Sequence, residues 1–304
     1  MKISIIICTI RREDLIAKLL DSLDAQSYDD FEVSIVGKQG AEAEAGSPPD
    51  RRRYSLRRLT APKGLARARN VGLEAAGGEL ICFLDDDVVL APDFLATAAA
   101  CFGRPEMTDL GGLTGYDTAN YGQPVPPRWR LRQRLGLTRS LEPGDADHLG
   151  RSIPLSFLPP FEGCREVKWL PGFCQIFRRS AVEGLRYDEL AVVEDRDFSM
   201  EVGRRWRLAI CGQLRLAHLF DPQGRHRQAV QVRRAAFGLG RSYAKRKRTG
   251  DWGFICRTVA GEFLIDLLIL LRKPSWQNVK TPFYRLDGFF SGFSSLHQTT
   301  TRIS

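Results

Sequence analysis

The sequence predicts an α/β fold, a mixed sheet flanked by helices, followed by a helical C-terminal extension. Three observations predict it. Short, continuous apolar runs rich in β-branched residues suit strands buried on both faces. Segments with leucines at helical spacing alternate with them, as βαβ crossovers require. Beyond residue 224 the pattern changes to long, basic, amphipathic stretches. The expected division is therefore 1–224 for the α/β domain and 225–304 for the extension.

The elements follow in order. Residues 3–8 (ISIIIC) read as a buried strand, and 13–27 as a helix with Leu15, Leu19, Leu20 and Leu23 on one face. FEVSIV (31–36), YSLRRL (54–59) and ELICFL (79–84) are the next strands. The stretch GLARARNVGLEAAGG between the last two reads as a helix closed by Gly77 and Gly78, glycine being the usual residue past a helix end. Residues 121–165 are rich in proline and arginine and read as a long excursion. Regular signals return with WLPGFCQIFRRSAVEG and the strand-like RLAICGQLRLAHLF.

In the extension, Arg234, Arg241, Lys245 and Arg248 form one helical stripe, with Val232, Ala236, Leu239 and Tyr243 opposite. Residues 254–271 are long enough to span a bilayer, but Glu262 and Asp266 lie near the centre. An acid at that depth costs up to ~3 kcal/mol, so a buried or interfacial helix is expected.

Composition is that of a globular protein, with 43% hydrophobic and 27% charged residues. The net charge of +9 favours an anionic partner: a phosphorylated substrate, an anionic lipid surface or nucleic acid. The seven cysteines include no C-x-x-C pair and are odd in number, so reduced thiols, a cytosolic setting and no cysteine-based metal site are expected. The N-terminus lacks the longer apolar region and cleavage site of a secretory signal.

The strongest local feature is Asp85-Asp86-Asp87, directly after an apolar strand. Ligand sites in open α/β sheets lie at the carboxyl ends of strands. Adjacent carboxylates there repel one another unless a cation is near, and hard oxygen ligands favour Mg²⁺ or Mn²⁺. A solvated acidic turn or a helix cap is the alternative for a bare triplet.

From this point the chain resembles the family 2 glycosyltransferases, over about residues 1–220. SIIICTIRRE resembles that family's first strand and turn. GLARARNVGLEAAGGELICFLDDDV resembles its helix, strand and Asp-x-Asp segment, PGFCQIFRRSAVE its acceptor-side segment, and VVEDRDFSMEVGRRW its Glu-Asp motif. The resemblance implies a GT-A fold and an inverting, metal-dependent transfer of a hexosyl or deoxyhexosyl group from a nucleotide sugar. It implies that Thr9, Arg11, Lys63, Arg67, Asp85 and Asp86 bind the nucleotide sugar, and that Asp87 and His218 bind Mg²⁺ or Mn²⁺. Asp195 would be the base, with Trp169, Gly172 and Glu194 on the acceptor side. One departure stands out: the uracil-reading aspartate after the second strand is replaced by Gly37-Lys38-Gln39, which leaves the donor base open.

The resemblance also suggests a glycan or lipid-linked acceptor, made for a cell-surface polysaccharide. The basic stripe fits peripheral contact with an anionic membrane, on the cytoplasmic side. No nucleic acid is expected, because no nucleic-acid motif accompanies the stripe. A non-catalytic nucleotide-sugar or polyanion-binding protein and a nucleotidyltransferase are the rival readings.

Overall fold

A computed structural model describes residues 1–9, 13–38, 52–138, 140–219 and 228–300. In chain order the first elements are β1 (Ile3–Cys8), α1 (Glu13–Asp24), β2 (Phe31–Lys38), β3 (Ser55–Ala61), α2 (Leu65–Ala75), β4 (Leu80–Asp85) and β5 (Val88–Leu90). They are followed by α3 (Phe94–Gly103), β6 (Leu110–Asp117), α4 (Pro127–Arg134), β7 (Cys164–Val167), β8 (Cys174–Arg178) and α5 (Arg179–Val182). The last are α6 (Glu194–Val202), β9 (Arg207–His218), α7 (Gln228–Arg246), α8 (Trp252–Arg272) and α9 (Trp276–Thr300).

The chain forms two compact units. The first contains Met1–Gln123, Leu155–Glu189 and Glu194–Phe220; the second contains Pro124–Pro154, Leu190–Val193 and Asp221–Ser304. The boundary therefore differs from the single cut expected at residue 224. Residues 124–154 group with the helical extension because Leu137 packs under Gly261 and Leu149 joins Tyr243 and Phe289 in one core.

In the first unit the sheet runs β3-β2-β1-β4-β8-β6-β9-β5, with β7 also paired to β9. Strands β1 to β4 are parallel, β8 is antiparallel to β4 and β6, and β6 is parallel to β9. Alternation along β1 explains its apolar run: Ile3, Ile5 and Ile7 enter the core on one face, Ile6 the core on the other. Helix α2 ends at Ala75 in extended backbone, not in a left-handed glycine. Gly78 is needed instead for closeness, since a Cβ there would lie 2.6 Å from the Lys2 carbonyl oxygen.

In the second unit α7 and α9 cross at glycines. A Cβ on Gly240, Gly288 or Gly292 would collide with the facing backbone carbonyl of Phe289, Arg233 or Phe237 respectively. The acids noted in α8 are buried and paired. Glu262 accepts two hydrogen bonds from Arg132, both 2.8 Å, and one from Arg151 at 2.9 Å. Asp266 accepts two from Arg285, at 2.6 and 2.9 Å. Among the described residues, no helix is long and apolar enough to cross a membrane. The basic stripe is only partly as expected: Arg234 and Lys245 are exposed, but Arg241 is buried and donates to Ser295, and Arg248 lies beyond the end of α7. Periodicity along α7 alone cannot register that α9 covers Arg241.

Candidate active site

Three strand registers assemble the site at the carboxyl end of β4. Cys8 pairs with Asp85, so Thr9 follows beside Asp86. Leu84 pairs with Cys174, which brings Phe173 and Gly172 alongside Asp85. Val88 pairs with His218, which brings the end of β9 to Asp87. Backbone bonds extend each register, Asp85 N–H to Phe173 O at 3.1 Å and Leu219 N–H to Asp87 O at 2.8 Å.

The acidic triplet divides its work. Thr9 Oγ1 donates to Asp86 Oδ2 at 2.6 Å, and Asp86 is buried. Asp85 and Asp87 instead converge with His218, each offering a ligand atom within 4.8 Å of the others. His218 Nε2 lies 3.1 Å from Asp87 Oδ1, and its ring stacks on Phe173. Asp117 and Asn120 fix the backbone on either side of that histidine: His218 N–H donates to Asp117, and Asn120 donates to the His218 carbonyl. Two carboxylates and an imidazole in this spacing are a donor set that fits a Mg²⁺- or Mn²⁺-sized ion.

Arg69 of α2 is the residue that sequence reading missed. It is 3% exposed and reaches three elements at once. Its guanidinium donates to Glu194 at 2.8 Å, to the Gly172 carbonyl at 3.1 Å and to Asp85 at 3.4 Å, and lies against the Tyr187 ring. The signal was present in helical spacing, for Arg69 falls on the buried face of α2 with Ala66 and Gly72. Arg67 falls on the opposite, exposed face and pairs with Glu189, and Lys63 is exposed in the preceding turn. Arg11 lies outside the described residues.

The acceptor-side residues gather at the start of α6. A Cβ on Gly172 would lie 2.6 Å from Asp195 Oδ2, so only glycine admits the Asp195 carboxylate here. Gln175 Nε2 donates to the Leu170 and Asp195 carbonyls, both at 3.0 Å, and Tyr187 donates to Gln175 Oε1. These bonds lock α6 onto the segment 170–175. Glu194 is buried, while Asp195 is partly open. Trp169 packs partly buried on the core nearby.

Burial is the leading influence on each of these groups, and the charges around them add to it or oppose it. Burial raises Asp85; Arg69 opposes this and Asp87 adds to it. Burial, then the Asp195 charge, pushes Glu194 up to about 7 against the pull of Arg69. Arg69 is nonetheless held more firmly charged: burial opposes it, but Tyr187 and the surrounding carboxylates prevail. The two shifts are consistent, because one guanidinium serves several carboxylates and neutralises none fully. His218 is raised as well, since Asp87 outweighs the effect of burial.

Comparison with known proteins follows the same line. The profile of the family described as Glycosyl transferase family 2 matches residues 4–186. A putative glycosyltransferase, EpsH of Bacillus subtilis, is 30% identical over 218 residues, covering 65% of this chain and 54% of that protein. A glucosyl-dolichyl phosphate glucuronosyltransferase of Haloferax volcanii is 27% identical over 121 residues, 37% of this chain and 38% of that one. The matched stretch thus spans about half or less of these relatives' lengths. Among solved structures, the mannosyltransferase PcManGT of Pyrobaculum calidifontis, in complex with GDP-Man and Mn²⁺, superposes with a TM-score of 0.58 at 15% identity, covering 96% of this chain and 86% of that one. Residues 1–349 of TarS from S. aureus give 0.50 at 17% identity, covering 98% and 92%.

Proposed function

The chain belongs to glycosyl transferase family 2 and has its GT-A fold, and from that premise we propose that it is an inverting, metal-dependent glycosyltransferase. It moves a hexosyl or deoxyhexosyl unit from a nucleoside-diphosphate sugar to a hydroxyl of a glycan or lipid-linked acceptor. The observation that carries this reading is the pairing of two groups across Arg69. The Asp85–Asp87–His218 donor set lies on one side, and Asp195, admitted by Gly172, on the other.

Asp195 takes the proton from the acceptor hydroxyl as its oxygen bonds to the anomeric carbon. The bond from that carbon to the diphosphate breaks on the opposite face, and the electron pair leaves with the nucleotide. Asp85, Asp87 and His218 would hold Mg²⁺ or Mn²⁺, which when bound supplies positive charge against the leaving diphosphate. Arg69 keeps Asp85, Gly172 and Glu194 in one arrangement, so that donor and acceptor ends share a fixed geometry. Thr9, through Asp86, ties the end of β1 to this floor.

The membrane part of the reading rests on exposed apolar residues of the second unit. Leu264, Leu268 and Leu271 of α8 and Val279, Phe283 and Phe290 of α9 are exposed, with Arg272, Lys273 and Lys280 among them. Apolar and basic residues together suit the interface of an anionic leaflet, and hence work on the cytoplasmic face on a lipid-linked acceptor.

The test is a panel of nucleoside diphosphates and nucleotide sugars, with Mn²⁺ or with chelator, read first by melting temperature and then by nucleotide release. One donor stabilising the chain only with metal, then turned over, is the expected result. No shift from any nucleotide at saturation would overturn the proposal. Co-sedimentation with vesicles that is indifferent to anionic lipid would remove the membrane part alone.

A further inference from the structure

The fold brings together three thiols far apart in sequence that the candidate active site does not use. Cys101 on α3 lies 3.9 Å, sulfur to sulfur, from Cys164 on β7 and 3.8 Å from Cys211 on β9. All three sulfurs fall within 4.8 Å of one another. The register makes Cys164 and Cys211 direct cross-strand partners, and α3 brings Cys101 to the pair. No short sequence motif could signal this, because the fold and not local spacing creates the set.

Three small apolar side chains could share a core corner by chance, but here the three sulfurs converge on one point beside an irregularity in β9. Strand β9 bulges directly after Cys211: Gly115 pairs with Cys211, yet Tyr116 pairs with Arg215. Beside the bulge the backbone amides of Gln213 and Leu214 favour the ionised form of Cys211. Amide donors stabilise a thiolate, and Cys211 is the thiol held low, first by its contacts with Cys101 and Cys164 and then by these amides, while Cys101 and Cys164 are raised. The spacing also fits a metal: at ~2.3 Å zinc–sulfur bonds, the edge of a tetrahedron is about 3.8 Å. The cluster opens to solvent on one side. Cys164 is half-buried, and exposed Gln213 holds its Oε1 3.4 Å from the Cys211 sulfur while donating to exposed Glu162.

We propose that Cys101, Cys164 and Cys211 form a thiolate site for a thiophilic ion of the zinc class, its fourth position facing Gln213 and solvent. Binding releases to water whichever S–H protons the three sulfurs carry as the metal–sulfur bonds form, and no electron moves. The ion joins α3, β7 and β9 and has a structural role. Soft sulfur ligands separate it from the hard oxygen donors at Asp85 and Asp87.

The test uses the full chain, reduced and stripped of metal, titrated with Co²⁺ and then Zn²⁺ in excess Mg²⁺. One equivalent of Co²⁺ should give a thiolate-to-metal charge-transfer band with the visible absorption of a tetrahedral site, and Zn²⁺ should bleach both. Cys164→Ser, at the half-buried position, should abolish the band and weaken zinc by about 100-fold or more. The same variant should keep the native circular dichroism and any metal-dependent nucleotide-sugar turnover. Cys101→Ala is the second variant, with the same spectroscopic loss expected. Absence of the band in the reduced protein overturns the proposal. So does a chain that takes up no zinc and, in air, becomes lighter by two hydrogens through a disulfide within the trio. Failure here leaves the glycosyltransferase reading untouched, because neither outcome involves nucleotide.

Discussion

Arg69 in the first unit and Glu262 in the second each stand at the centre of a buried charge cluster, and the two clusters are unbalanced in opposite senses. Around Arg69 gather Asp85 and Glu194, with Asp87 and Asp195 close by and, among the described residues, His218 as a further group able to carry positive charge. Around Glu262 gather Arg132, Arg151 and Arg285, with Asp266 taking part of the last. The consequences run in opposite directions. Glu194 is pushed up to about 7, whereas Glu262, for all its burial, is held down to about 2 by its arginines. A buried carboxylate with cations to spare completes itself and serves the fold. Carboxylates gathered at the end of a strand suit instead the cation binding proposed above for Asp85, Asp87 and His218.

The largest effect expected from this difference is on chemistry. Asp195→Asn should lower transfer by about 10²–10⁴-fold while leaving metal-dependent nucleotide binding nearly unchanged. Near-normal turnover would take Asp195 out of the mechanism and leave the first cluster as a binding site alone. In the second unit the matching change acts on stability. Glu262→Gln leaves Arg132 and Arg151 buried without their counter-charge, at a cost of about 3–5 kcal/mol in denaturant unfolding. A variant as stable as the parent would mean that the arginines find water, and the contrast between the clusters would fail.

Their pH dependences should also be mirror images. The folded pKa of Glu194 is raised from 4.5 to about 7. Its contribution to stability is therefore present below pH 4.5 and lost as pH rises to about 7. For Glu262 the folded value is depressed from 4.5 to about 2. Its contribution is present above pH 4.5 and lost as pH falls to about 2. Each limb is on the order of 3 kcal/mol. Unfolding measured across this range should lose the upper limb in Glu194→Gln and the lower limb in Glu262→Gln. Added Mn²⁺ should flatten the upper limb alone. A lower limb that also responds to Mn²⁺ would show that the ion acts somewhere other than the Asp85–Asp87–His218 set.

How much of this was legible in the sequence depended on whether the determining partner was local. The strand at residues 3–8 was legible because its continuous apolar run admits little besides burial on both faces. The strand 80–85 and its acidic end were legible for the same reason. Arg69 was not, since an arginine on α2 reads as solvated until Glu194, 125 residues on, is known to lie beside it. The acids of α8 could be read as unsuited to a spanning helix, but their arginines come from 130, 111 and 19 residues away. Arg241 reads as part of a basic stripe because the pattern of one helix carries no record of the helix that covers it. The cysteine trio was hidden in the same way. Local chemistry was readable, and charge balance, which is a property of the fold, was not.

The smallest expected effect sharpens the comparison by removing burial from it. Arg233 on α7 pairs with Asp287 on α9, and both side chains are about half exposed, at 52% and 54%. Water already screens such a pair, so Arg233→Ala should shift stability by under ~1 kcal/mol, with salt erasing the difference. Arg241, about two turns further along the same helix, is buried and bonded to Ser295. Its replacement by alanine should cost more and resist salt. Both substitutions remove the same charge from the same helix, so the ratio of their effects measures burial itself. A loss at Arg233 as large as that for Glu262→Gln would mean that proximity of opposite charges, and not their removal from water, sets the energies of the clusters. The reading of the Arg69 cluster as part of a cation-binding site would then lose its physical basis.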